Sequence, residues 1–155
     1  MIAWDFRVQP ESKVATSRAL GRGVVAAMAM TGMRRVTTGL GLVRVAPPES
    51  IATQGVPSLL ARVPPRYRDV AIELAHWGYG GIAGAGFSFL PRRLQRLPGA
   101  GAVFGLVIWL GYDKGIAPIL NLIQAEQPLT IERLALMGDH ILHGVLVAES
   151  RDHGH

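Results

Sequence analysis

The sequence predicts an all-α fold, specifically an integral membrane four-helix bundle. Three observations predict it. Four apolar segments run along a chain that is 49% hydrophobic and 17% charged, against roughly 25% charged in soluble domains. Glycine is abundant inside those segments, although each internal Gly costs a water-exposed helix about 1 kcal/mol relative to Ala. Arginines gather at segment ends, where long cationic side chains reach lipid head groups. The 155 residues make one domain, and the absence of Cys excludes a disulfide scaffold, a Cys-ligated zinc site and a thiol nucleophile.

Residues 1–13 read as a polar arm whose aromatics, Trp4 and Phe6, suit a lipid–water interface. Trp4, Asp5, Arg7 and Glu11 interrupt the place of a signal-peptide core, so none is expected. Residues 14–148 read as the four-helix transmembrane domain and 149–155 as a polar tail. The first apolar segment, 19–33, contains GVVAAMAMTGM, apolar all round as a fully surrounded helix is. Arg34-Arg35 close it, and a polar-faced helix can continue through 36–43. Residues 45–69 hold Pro47-Pro48, Pro57 and Pro64-Pro65 and cannot form one helix.

The second segment, 70–90, best passes the length test: about 21 residues cross ~30 Å of hydrocarbon. Arg68-Asp69 precede it and Pro91-Arg92-Arg93 stop it. The short turn PRRLQRLP over 91–98 predicts that segments two and three are antiparallel neighbours. Segment three, 99–112, can continue past Asp113-Lys114 through 116–123. Its Trp109 and Tyr112 read as interface anchors. Thr130 reads as the N-cap of segment four, 131–148. Met28, Met30 and Met33 read as packing residues. The spacings Gly80-x-x-x-Gly84 and Gly101-x-x-x-Gly105 predict close helix–helix packing.

Four crossings put both termini on the side of the 91–98 turn. The 16 Lys and Arg then split evenly between the two sides, and the short Arg-rich turn tips both termini toward the cytoplasm. Net charge is +5, but no basic stripe with interleaved aromatics exists, so nucleic acid is not an expected partner. No Walker loop, dinucleotide fingerprint, Gly-x-Ser-x-Gly elbow or His-Glu-x-x-His occurs, so no catalysis is recognised.

Ionisable groups inside membrane segments are costly and draw attention as functional candidates. Here they are Glu73 and His76 on segment two, and Asp139, His140 and His143 on segment four. At ~1.5 Å rise per residue, Glu73 lies about 5 Å and His76 about 9 Å inside, with His140 about 14 Å and His143 about 18 Å in from the same side. Arg34, Arg35 and Asp113 share that half, so Glu73 can meet Arg34 or Arg35. Three readings follow. The cluster is interhelical hydrogen-bond glue, a proton or solute path, or a metal or haem site in which Glu-x-x-His and His-x-x-His spacings supply ligands. A two-iron site would want a second Glu-x-x-His and further carboxylates, which segment one lacks. No cofactor is predicted.

The order of features resembles the small four-helix bacterial inner-membrane proteins of the YagU type. The resemblance rests on a Gly/Ala/Met-rich first helix, Pro47-Pro48-Glu49, His76-Trp77-Gly78-Tyr79-Gly80, Gly101 and Gly105 before Trp109 and Pro118, and His140 with His143-Gly144. It spans most of residues 19–148. It implies a multi-pass protein of the bacterial inner (cytoplasmic) membrane and no reaction. The expected role is structural, accessory or stress-related. The expected partners are the lipid bilayer and, through Gly faces, a homo-oligomer or larger membrane complex. The alternative is proton-coupled transport or metal or haem binding by the His/Asp/Glu cluster.

Overall fold

The computed structural model describes residues 10–123 and 130–149. Among the described residues there is no strand, and four long helices form a bundle. They are α1 (Pro10–Gly39), α2 (Arg68–Ser88), α3 (Ala100–Ile119) and α4 (Thr130–Glu149). Helix α1 starts inside the stretch read as a polar arm. A proline opens it, a residue suited to a first turn whose N–H groups have no intrahelical partner. It then runs unbroken past Arg34-Arg35. Trp4, Phe6, the connection over 124–129 and most of the polar tail lie outside the described residues.

The Pro-rich connection is a chain of single helical turns. Pro47, Pro57 and Pro65 each open one, at Pro47–Ser50, Pro57–Leu60 and Pro65–Tyr67, and a π-helical turn fills Ile51–Gly55. Proline's fixed φ favours the start of a turn and its missing N–H forbids continuation from the turn before. Beyond α2, Pro91 leads into the single turn Arg92–Gln95, and Gly99, at φ +76°, launches α3 from a left-handed conformation. The Gln95 amide nitrogen lies 3.0, 3.0 and 2.6 Å from the carbonyl oxygens of Phe87, Ser88 and Leu90. It thus covers acceptors that the end of α2 leaves without intrahelical donors. Helix α3 is α-wound over Ala100–Gly111, π-wound over Tyr112–Ile116 and α-wound again over Ala117–Ile119.

Helix α1 packs mainly on α2, α3 mainly on α4, and α1 and α4 join the two pairs, so the order across the bundle is α2–α1–α4–α3. Small residues set this order. A Cβ on Gly23 would run into the Gly80 carbonyl, and one on Gly84 would lie 2.5 Å from Ala19 O. A Cβ on Gly101 would strike Gly144 O, one on Gly105 the His140 carbonyl, and one on Gly144 the Gly101 carbonyl. Backbone therefore rests on backbone in both pairs. Segments two and three, expected as antiparallel neighbours, share few contacts. They meet through Phe87 and Phe104, ring centroids 5.0 Å apart and planes at 57°.

Phe87 belongs to a core cluster with Ala26 and Val147 at the end of the bundle bearing the 91–98 turn. A second cluster, Tyr112, Ala117 and Leu122 with Ile51 against it, closes the opposite end beneath the Pro-rich connection. Tyr112 is buried, not an interface anchor, because the spacing Gly101, Gly105, Ile108, Tyr112 places it on the face that α3 turns to α4. Met30 is a core residue, whereas Met28 and Met33 are exposed on α1.

Among the described residues, one helix is long and apolar enough to cross a membrane, and it is α3, not segment two. Glu73, His76, Tyr79 and five glycines dilute the hydropathy of α2. The π turn lets α3 continue past Asp113 and Lys114 to Ile119.

Candidate functional site

In the half of the bundle nearest the Pro-rich connection, a cavity of about 420 Å³ separates α2 from α3. Its wall is mostly aliphatic, with Ile51 and Leu60 from the connection, Ile72 from α2, Ile108 from α3 and Leu136 from α4. Into this wall are set His76, Tyr112, Asp139, His140 and His143, contributed by three helices. Four of the five sequence-predicted polar residues therefore share one space.

The fifth, Glu73, is held elsewhere. The Arg34 guanidinium donates to Glu73 Oε1 in a very close ion pair linking α1 to α2. Thr31 Oγ1 lies 3.0 Å from Glu73 Oε2 and accepts from Trp77 Nε1 at 3.2 Å. Arg34 also lines the cavity and is its one Lys or Arg, so the cavity's cation is already committed to a carboxylate.

Several polar atoms of the wall are buried and have no hydrogen-bond partner among the described residues: His76 Nε2, Tyr112 Oη, Asp139 Oδ1 and both ring nitrogens of His143. Three of these residues are deeply enclosed, with Asp139 and Tyr112 5% exposed and His143 3%, and His76 is partly buried. Such groups are rare in folded proteins and costly to leave unmatched. The His143 ring lies against Gly80, one helical turn beyond His76, since a Cβ there would sit 3.3 Å from His143 Cε1. His140 stacks on Tyr112, centroids 6.3 Å apart. Its Nδ1–H donates to the Leu136 carbonyl at 2.8 Å, which leaves Nε2 as an acceptor. Small Gly80 makes room for the imidazole, and the helical spacing of Leu136, Asp139 and His143 puts both polar residues on the most buried face of α4.

Two further ion pairs knit this end of the bundle. Arg44 Nε reaches Glu132 Oε2 at 3.2 Å, and Arg133 Nε reaches Asp113 Oδ1 at 3.1 Å, with Lys114 Nζ 3.0 Å from Asp113 Oδ2. Sequence reading missed Glu132 and Tyr112 as interior groups. The signal was present as spacing, since Glu132 stands one turn before Leu136 on the buried face of α4.

Chemically, the cavity offers an apolar body, hydrogen-bonding imidazole and phenol groups, and one carboxyl group. Among the described residues no three His, Asp or Glu side chains stand together in a way that holds a metal ion. No protein-family model matches the chain, and no curated protein or solved structure matches it. The chemistry of the cavity is therefore read from its own atoms.

Proposed function

We propose that this chain is a multi-pass integral protein of a bacterial inner membrane, with a non-catalytic accessory role. The observation that carries the reading is the outward face of the bundle. Each long helix presents large apolar side chains to its surroundings, among them Val25, Ile82, Val103 and Leu134, with Ile82 70% and Val103 61% exposed. Only 17% of the apolar stretch of α3 is buried in the bundle, where a soluble core helix would be mostly buried. Each helix has 20 residues or more, enough at ~1.5 Å per residue to span a bilayer core. Meanwhile Glu73, Glu132 and Asp113 are paired with arginines between elements, as charges in lipid must be. The resemblance to YagU-type proteins supports the same location.

Alkaline carbonate extraction of membranes from expressing cells tests this. Retention in the pellet is expected, and release into the supernatant overturns it. A second reading, solute traffic through the bundle, is favoured by the cavity with its unmatched polar groups.

A further inference from the structure

The geometry points to the cavity between α2 and α3 as a binding site for a lipid-soluble organic cation, a molecule with an apolar body and one positive charge that Asp139 receives. Four observations carry it. The space, about 420 Å³, is within the range of small-molecule pockets, and its wall is overwhelmingly apolar. Asp139 lines it, is buried, and keeps Oδ1 without a partner among the described residues. The cavity's one arginine, Arg34, is already engaged by Glu73. Asp139, the wall's one carboxyl group, is therefore left without a cation of its own, and a bound cation would complete the balance. An anionic guest has no free cation to meet.

Aromatic groups strengthen the assignment. Tyr79 and Tyr112 both line the space, and faces of phenol rings attract cations. His76 Nε2 and both ring nitrogens of His143 have no partner among the described residues, and an imidazole lone pair can face a positive centre. The mouth is apolar as well: Val56, Leu59 and Tyr79 line the cavity and are also exposed, so a guest passes hydrophobic groups on its way in. Access from the lipid phase rests on the membrane reading above. The charge argument does not, since it concerns the inner wall alone.

The test uses the full chain purified in detergent and tetraphenylphosphonium as the probe, followed by equilibrium dialysis. Saturable one-to-one binding is expected. Asp139→Asn, nearly the same shape without the charge, should weaken it roughly tenfold or more. Asp113→Asn, at a carboxylate outside the cavity lining, should leave the affinity unchanged. A circular dichroism spectrum and elution volume matching wild type establish that each variant is folded. Binding undiminished in Asp139→Asn overturns the proposal, as does no saturable binding by the wild type. Equal affinity for a neutral triphenyl compound of the same size overturns the assignment of charge. Carbonate extraction is scored separately, so a soluble chain that binds the cation sinks the membrane reading alone, and a membrane chain that does not bind it sinks this one alone.

Discussion

The smallest side chains in this protein have the least freedom to change. Gly105 and Gly144 each sit where a methyl group would strike a backbone carbonyl of the opposing helix. Gly105→Ala should therefore destabilise the fold by about 1–3 kcal/mol, the usual cost of overpacking, read from thermal unfolding in detergent. Gly78 and Gly86 have open space around the missing Cβ. Alanine at either should be neutral or stabilising by up to about 1 kcal/mol through helix propensity. Charge behaves differently. Glu73→Gln strands Arg34 and should cost about 2 kcal/mol, less than the 3–5 kcal/mol of a fully enclosed pair because the Glu73 side chain is 24% exposed. Replacing both partners, Arg34→Met with Glu73→Leu, should recover most of that loss in the same unfolding assay. The pairing of Glu73 with an α1 arginine was legible in the sequence, because depth along each helix follows from rise per residue. The burial of Tyr112 was misjudged because its aromatic type weighed more than its spacing from Gly105.

At the level of elements, four apolar runs bounded by prolines and arginines mark the four helices correctly, because those residues stop or flank helices for local reasons. What local reasons cannot supply is partner choice. A short turn makes α2 and α3 adjacent in sequence, yet the glycine faces of Gly23 with Gly80 and of Gly101 with Gly144 outweigh that adjacency. The continuation of α3 to Ile119 depends on a π turn that no residue pattern announces. The Arg92–Gln95 turn is held to α2 by one side chain. Gln95→Ala should expose the carbonyls of Phe87, Ser88 and Leu90 and cost about 1 kcal/mol. The expected signature is faster amide hydrogen exchange in the last turn of α2 with little change in α4.

For the whole molecule, the buried ionisable groups among the described residues gather in the connection-side half of the bundle, and many large apolar side chains face outward. The chain has no Cys, so single cysteines can report on their surroundings without background. Ile82→Cys and Val103→Cys should resist a membrane-impermeant maleimide in intact membranes and react fully in SDS. Ready labelling of both in intact membranes would mean that water, not lipid, bathes the bundle. Leu59→Cys, on the exposed connection, should label under both conditions or be shielded only when a guest fills the cavity.

The backbone-on-backbone seams have a consequence for how this chain tolerates variation. Outward positions such as Ile82 ask only for an apolar side chain and accept many. A seam glycine accepts one residue. A saturation scan of the chain would then show an inverted profile, with outward bulky positions permissive and seam glycines intolerant, and those intolerant positions alone would trace the two helix pairs. The sequence information that specifies the bundle is concentrated in positions with no side-chain chemistry at all.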